Sequence, residues 1–319
     1  MDPTADSLHL GNFVGFMHAV QYMKRGNKLI FIVGGATGMI GDPGGKDSER
    51  SFLDEATLAH NVGAIDAQVA ILLRNLKELS GYNFEYQVIN NMEFYENMSY
   101  LGFLREVGKY ITVNNMIGKE TVKRRIEDPE QSISYTEFSY MLMQGFDFLE
   151  LYKRYNCQLQ IAGSDQWGNV VTGVELIRKK LDAESYGATC PLILDSTGKK
   201  FGKSEGNAIW LDPRKNSPFT VYQYFMNSSD EDIEKYLKLF TLLSFEEIAN
   251  ILQEHAPDKS LRKGQQQQLA YYVTMSIFGK EEADNAELVT HTLFGNSNPV
   301  EEIQKMNASQ LHALHHATG

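Results

Sequence analysis

Cysteine is almost absent from this chain, with two residues, Cys157 and Cys190, in 319. That excludes a disulfide scaffold as the organising principle, and two unpaired thiols suit a reducing cytoplasm. Long apolar runs are lacking too. No uninterrupted stretch approaches the roughly 18 residues of a membrane span, and candidates such as Leu29 to Val33 run into glycine. The opening residues, Met1-Asp2-Pro3-Thr4, show no basic segment followed by an apolar one, so they do not read as a secretory leader. Positive charge is short. There are 30 Lys+Arg against 41 Asp+Glu, a formal net charge of −11, which argues against a protein that coats nucleic acid non-specifically. Local basic clusters persist at Lys119, Lys123, Arg124 and Arg125 and at Arg178, Lys179 and Lys180. Clusters of that kind are usually solvated helix faces.

Hydrophobic residues make up 42% of the chain, enough for a sizeable core. Over the first two-thirds, short apolar strands alternate with amphipathic helices, the pattern of a mostly parallel α/β sheet. Lys28 to Val33 reads as a strand buried on both faces, running into a glycine-rich turn, Gly34 to Gly45. Further strands are expected at Tyr86 to Asn90, Leu159 to Ala162 and Pro191 to Leu194. Helices are expected at Glu55 to Leu79, Thr136 to Tyr152 and Val170 to Lys180, the second apolar almost all round and therefore buried. Beyond Pro213 strand signals vanish. Helical periodicity runs through Tyr222–Met226, Ile233–Phe240, Phe245–Glu254 and Gln265–Phe278, with a last helix near Ala308 to His316. The expected fold class is α/β, a Rossmann-like doubly wound parallel sheet followed by a small all-α domain. The expected divisions are 1–213, 214–290 and a tail at 291–319.

Several polar constellations bear on chemistry. In Asp2-Pro-Thr-Ala-Asp-Ser-Leu-His9-Leu10-Gly11-Asn12, Asp6 or Ser7 can cap the following helix, whose N-terminus attracts phosphate. His9 can donate to a phosphoryl oxygen there, and Gly11 lets a flat base approach the backbone. An ordinary capped helix with a chance histidine explains the same residues equally well. The turn Gly34 to Gly45 is followed by Lys46 and Arg50; Asp42 can hold an ammonium, and the two cations a pyrophosphate. It is not a Walker loop, because Ile40 stands where the first glycine is required. Short-chain dehydrogenases have a similar turn, but no tyrosine here has a lysine four residues on. Tyr140, Gln144 and Asp147, at i, i+4 and i+7, line one face of a helix flanked by Phe138, Leu142, Phe146 and Leu149. Polar groups so placed need partners or a polar pocket. Gly163-Ser-Asp165-Gln166-Trp-Gly-Asn169 lies at the carboxyl end of a strand, where open α/β sheets bind ligands. Lys199-Lys200-Phe201-Gly202-Lys203-Ser204 occupies a loop between Leu194 and Ile209.

These runs, in this order and spacing, resemble the tyrosyl-tRNA synthetases, a class I aminoacyl-tRNA synthetase family of bacterial and organellar type. His9 to Asn12 resembles the H-x-G-H signature with Asn in fourth place, and Lys200 to Ser204 the K-M-S-K-S loop in its K-F-G-K-S form. Phe138 to Asp147 resembles the tyrosine-pocket helix, and the tryptophanyl sister enzymes fit it less well. The resemblance implies tyrosine-binding roles for Asp42, Asn91, Tyr140, Gln144, Asp147 and Gln166, with Asp147 accepting the phenolic OH. It implies ATP-binding roles for Asp2, Thr4, His9, Gly11, Asn12, Gly163, Asp165, Leu192, Ile193 and Lys203. His9, Asn12, Lys46, Arg50, Lys200, Lys203 and Ser204 would stabilise charge during catalysis, with no protein-bound metal.

The implied reaction joins L-tyrosine to ATP, accompanied by Mg²⁺, and passes tyrosine to tRNA(Tyr). The implied state is a cytoplasmic homodimer independent of membranes; an upstream transit peptide would direct it to an organellar matrix instead. Members of the family carry a strand ahead of Asp2 with a Tyr-x-Gly-x pattern, and an S4-like RNA-binding domain after the helical region. Neither appears here, so reduced adenylation by this chain alone is expected. Two other readings stand beside this one: an NAD(P)-dependent oxidoreductase, and a non-catalytic relative that keeps the fold.

Overall fold

The structure, a computed structural model, describes residues 1–42, 53–191, 193–194, 196, 198, 201–204, 207–254, 262–295 and 298–318; side chains at 121, 203, 204, 207, 254, 262 and 263 stand outside that description. In chain order the elements begin with α1 (Leu10–Met23), β1 (Leu29–Val33), α2 (Gly35–Gly38), α3 (Glu55–Ser80) and β2 (Tyr86–Asn90). There follow α4 (Tyr100–Glu106), α5 (Val113–Ile117), α6 (Glu120–Glu127), α7 (Tyr135–Tyr155), β3 (Leu159–Gly163), α8 (Trp167–Leu181) and β4 (Tyr186–Cys190). The remainder is a short hairpin, β5 (Lys203–Ser204) and β6 (Asn207–Ala208), then α9 (Pro218–Met226), α10 (Asp230–Phe240), α11 (Phe245–Glu254), α12 (Arg262–Phe278), α13 (Lys280–Phe294), α14 (Pro299–Ile303) and α15 (Ala308–Thr318).

Two compact units divide the chain. The first is Met1–Asp6, Leu29–Asp66 and Tyr86–Leu192; the second is Ser7–Lys28, Ala67–Glu85 and Ile193–Gly319. In the first unit β1 pairs in parallel with β2, and β3 with β4, as α/β patterning requires. The described strands of this unit form two separate pairs rather than one continuous sheet. This corrects the expectation for β1: only Val33 is buried, and the other four residues keep partial exposure, in a strand whose one partner strand among the described residues is β2. The strand expected at Pro191 to Leu194 falls instead on Tyr186–Cys190. Proline has no N–H for the ladder, so pairing stops before it.

The axis of this unit is α7. Ser134 and Glu137 form a reciprocal capping box at its start, and Asn156 closes it in the left-handed conformation at φ 53°. It packs on α8 through Gly145 and Gly173, where an added Cβ on Gly173 would meet the Phe148 ring at 2.9 Å. Phe146, Phe148, Leu149, Leu176 and Ile177 fill the core around that crossing. One member of a basic cluster proves to be internal, while its neighbours Lys123 and Arg124 are exposed. Arg125 is 3% exposed and donates to Glu137 at 2.8 and 3.2 Å and to the Ser132 carbonyl. Burial pushes the Glu137 carboxyl up, but bonds from Arg125 and Ser134 outweigh it and hold the group below its ordinary value. Lys180 likewise pairs with Glu106, and Lys179 with Glu175.

In the second unit α9, α12 and α13 pack together, with α15 laid on α13. The helix α13 was not legible as a separate element, because its buried face is only Ala283, Asn285, Ala286, Val289 and Thr292. Phe201 stacks on Phe240 at 4.7 Å and meets Phe225 and Tyr236 edge-on or tilted. By length and composition α3 could cross a membrane. Its buried Leu58, Ile65, Val69, Leu72, Leu73 and Leu76 recur at helical spacing, and Glu55, Asp66, Arg74, Lys77 and Glu78 are exposed, the pattern of a helix flanking a core.

Arg125→Ala should lower unfolding free energy by about 3–5 kcal/mol, because Glu137 is left buried and unpaired. Arg125→Met combined with Glu137→Leu should recover most of that, short of about 1 kcal/mol for the lost cap. Urea unfolding of both variants checks the pair.

Candidate active site

The polar line on α7 is built as the spacing predicted, and in the first unit loops close over it. Asp147 is 6% exposed. Asn91 Nδ2 donates to its Oδ2 at 2.9 Å, and the Tyr95 hydroxyl to its Oδ1 at 2.9 Å. Asn91 Nδ2 also lies 3.0 Å from Thr37 Oγ1, and its Oδ1 accepts the Ala36 amide at 2.8 Å. Thr37 in turn donates to Asp2 Oδ1 at 2.7 Å, and Tyr140 donates to Asp2 Oδ2 at 2.7 Å. One chain of bonds therefore runs from Asp147 through Asn91, Thr37 and Asp2 to Tyr140, both of whose ends stand on α7. Gly34 makes room for it, since a Cβ there would lie 2.2 Å from Asp2 Oδ1 and 2.3 Å from Thr37 Oγ1.

Acidic groups predominate in this cluster. Burial raises Tyr140 well above its ordinary value, and the charges of Asp2, Asp42 and Asp147 add to that, so the hydroxyl stays a donor. Burial pushes Asp147 up to about 7 against the bonds from Asn91 and Tyr95. Asp42 accepts from Gln166 Nε2, and Gln166 is itself oriented by Asn169 at 3.0 Å. Gln144, on the same helix, is half-buried. Gly163 ends β3 where the Asp165 side chain folds back over it, Oδ1 2.5 Å from where a Cβ would stand; Asp165 itself is exposed. Acidic groups beside uncharged amides and phenols make an environment suited to an ammonium at one end and a hydroxyl at the other.

In the second unit the two signature segments meet. His9 is the N-cap of α1; its Nδ1 accepts the Asn12 amide at 3.2 Å, while Asn12 Oδ1 accepts the His9 amide at 3.1 Å. Nδ1 is thereby fixed as acceptor, so the proton of the neutral ring sits on Nε2. The ring packs edge-on to Trp210 at 5.9 Å. Residues 8–10 bond residues 209–211 antiparallel: Leu10 N donates to Ile209 O at 2.9 Å and Leu211 N to Leu8 O at 2.8 Å. Gly202, at φ 81°, lies against Gly11, with a Cβ placed 3.0 Å from the Gly11 nitrogen. The base of the lysine loop is anchored from α10. Ser196 N donates to Asp232 at 2.9 Å, and Lys235 donates to the Leu194 carbonyl at 2.9 Å. Burial works against the Asp232 anion, yet bonds from Lys235 and Ser196 bring it down to about 2.

Of the remaining expected residues, Thr4 is exposed and Ile193 accepts the Phe201 amide at 2.9 Å. Lys46, Arg50, Leu192 and Lys200 fall outside the described residues, as do the side chains of Lys203 and Ser204. Asp2, expected to face ATP, has its carboxylate engaged by Thr37 and Tyr140. Thr37, Tyr95 and Asn169 were not singled out in advance. Tyr95 carried a faint signal in its position four residues after Asn91.

The profile of the tRNA synthetases class I (W and Y) matches residues 1–295. The chain belongs to that family. The tyrosine–tRNA ligase of Porphyromonas gingivalis is 45% identical over 312 residues, covering 98% of this chain and 71% of the relative. That of Bacteroides thetaiotaomicron is 44% identical over 315 residues, covering 98% and 72%. Among solved structures, a C-terminally truncated mitochondrial tyrosyl-tRNA synthetase from Aspergillus nidulans has a TM-score of 0.81 at 34% identity, covering 92% of this chain and 84% of that one. The oxidoreductase reading of the glycine-rich turn is overturned by this membership. The Rossmann-like α/β class with an added helical part stands.

The Asp147 shift has a consequence for stability. Its folded value of about 7 lies above the ordinary 3.8, so the stability carried by the protonated form is present below about pH 4 and lost as pH rises through about 7. At about 1.4 kcal/mol per pK unit, the loss between about pH 5 and pH 8 is about 2–3 kcal/mol. Asp147→Asn should flatten that part of the stability–pH curve, measured by urea unfolding across the range.

Proposed function

We propose that this chain is a tyrosine–tRNA ligase: it activates L-tyrosine with ATP to tyrosyl-adenylate and pyrophosphate, then passes tyrosine to the 3′ end of tRNA(Tyr). The observation that carries this reading is the bonded chain from Asp147 to Tyr140 along α7. The names of relatives 44–45% identical over 98% of the chain support the same substrate.

The substrate's phenolic OH donates to Asp147, beside Asn91. Its ammonium lies among Asp42, Tyr140, Gln144 and Gln166, where the acidic surroundings favour a cation. Phenylalanine would bury the Asp147 end without offering a donor, and a charged acceptor left short of a partner is costly.

His9 Nε2–H and the Asn12 side-chain Nδ2 serve as donors to phosphate at the N-terminus of α1, with Gly11 leaving the backbone open to the base. Asp165 and Gly163 receive the ribose, Leu192 and Ile193 the adenine, and Thr4 and Asp2 border the nucleotide. Lys46, Arg50, Lys200, Lys203 and Ser204 stabilise charge on the departing pyrophosphate. Mg²⁺ arrives with ATP, held by phosphate oxygens and water. The tyrosine carboxylate attacks the α-phosphorus in line; the P–O bond to pyrophosphate breaks, and no protein acid or base is needed. Orientation and charge stabilisation carry the rate.

We assign 214–290 to the tRNA anticodon arm, and the working state to a cytoplasmic homodimer. Exposed Tyr100, Leu101, Val113 and Tyr135 form apolar surface on α4, α5 and the start of α7 that supports the dimer. Two free, half-buried cysteines support a reducing compartment.

The protein should catalyse ATP–pyrophosphate exchange with tyrosine; exchange with tryptophan or phenylalanine in its place would overturn the substrate. Lys203→Ala should slow adenylate formation by about 10-fold or more while leaving tyrosine affinity within about twofold. Equal effects on both would remove Lys203 from the leaving-group role.

A further inference from the structure

The Tyr95 side chain is half-buried among groups the proposed reaction uses, yet nothing so far gives it a task. Its ring stands edge-on to Phe146 at 5.4 Å, and Phe146 stands edge-on to Phe103 at 5.9 Å, which fixes the plane of the phenol. Its hydroxyl lies 2.9 Å from Asp147 Oδ1 and 2.9 Å from the Met143 carbonyl. Burial and the Asp147 charge raise it well above its ordinary value, so it keeps its proton. Asn91 and Tyr95 belong to one turn, Asn91–Phe94 with Tyr95 as its C-cap, and address the two oxygens of one carboxylate.

We propose that Tyr95 is a positioning residue for Asp147: its hydroxyl and the Asn91 amide hold the carboxylate from one side, leave its other lone pairs for the substrate's phenolic OH, and so set selectivity for tyrosine over phenylalanine. The inference rests on the tyrosine-pocket reading above. A carboxylate offers about four lone-pair positions. Asn91 takes one on Oδ2 and Tyr95 one on Oδ1, so one on each oxygen is left, in the plane of the carboxylate. Tyr95 has a single proton for two acceptors. Charge assistance directs it to Asp147 when that group is ionised, and the Met143 carbonyl receives it when Asp147 is neutral. The donor therefore favours the ionised acceptor that a phenolic OH needs. Among the described residues, Asp2, the Met1 amine and Tyr140 also interact electrostatically with Asp147, and Glu150 adds its charge at Tyr95.

Tyr95→Phe removes the hydroxyl and keeps the ring. In ATP–pyrophosphate exchange it should raise KM for tyrosine by about 5- to 20-fold. The kcat, KM for ATP and KM for phenylalanine should each stay within about twofold, so the tyrosine-to-phenylalanine ratio falls by the same factor. The pH at which KM for tyrosine changes should move upward, because a donor favouring the carboxylate is gone. A purely structural role would shift all substrates together and leave that pH unmoved. Asp147→Asn separates the two levels. If it leaves the tyrosine-to-phenylalanine ratio intact, the pocket reading fails and the inference with it. If it collapses the ratio while Tyr95→Phe leaves ratio and pH profile unchanged, the inference alone is overturned.

Discussion

Asp147 is a carboxylate removed from water at the centre of a buried helix, and the first unit is arranged around that constraint. An ion so placed must be neutralised, paired or surrounded by donors. Here Asn91 and Tyr95 supply the donors, and burial still brings its pKa to about 7. Each donor needs its own anchorage. Asn91 is held by the Ala36 amide and Thr37, which requires the turn after β1 to approach closely; Thr37 is held by Asp2, and Asp2 by Tyr140. Replacing Gly34 by any larger residue would push the Asp2 carboxylate out of this sequence. The glycine-rich turn is thus a device for bringing the start of the chain onto α7.

The second unit obeys a different constraint, joining the start of α1 to a chain segment far along the sequence. His9 caps α1 through Nδ1, which commits Nε2 to donation, and the hairpin carrying Lys203 is bridged to the same turn through residues 209–211. Phe201 roots that hairpin in the aromatic cluster on Phe240, Phe225 and Tyr236, while α10 grips Leu194 and Ser196. A short lysine-bearing segment between two rigid roots can be positioned by packing far from its own charges.

The line Tyr140–Gln144–Asp147 was legible because helical periodicity fixes which side chains share a face, and a polar face inside an apolar helix has few explanations. The start of a helix after His9 was legible for the same local reason, although its cap is His9 itself rather than Asp6 or Ser7. Tyr95 was not. It reads as one aromatic among sixteen tyrosines, and only the fold of the turn after β2 aims its hydroxyl at a residue 52 positions away. The burial of Arg125 was also hidden, since a basic run on a short helix looks solvated until a capping glutamate arrives from the next helix. The expectation for β1 failed because an apolar strand signals what it can bury, not how many neighbours it finds.

The unusual ionisation of Asp147 bears on discrimination as well as on stability. An acceptor that already held a fully stabilised charge would gain little from one more donor. One near neutrality gains from that bond only while its fixed donors, Asn91 and Tyr95, favour the ionised form and leave lone pairs open. In the proposed tyrosine pocket the substrate's phenolic OH supplies that bond, whereas phenylalanine would remove solvent and supply nothing. The free-energy cost of burying Asp147 without its last donor is therefore borne by the empty protein and by the wrong ligand alike, and only the phenolic hydroxyl relieves it. Selectivity follows from leaving the buried carboxylate incompletely satisfied, and the number and direction of its fixed donors determine how incompletely.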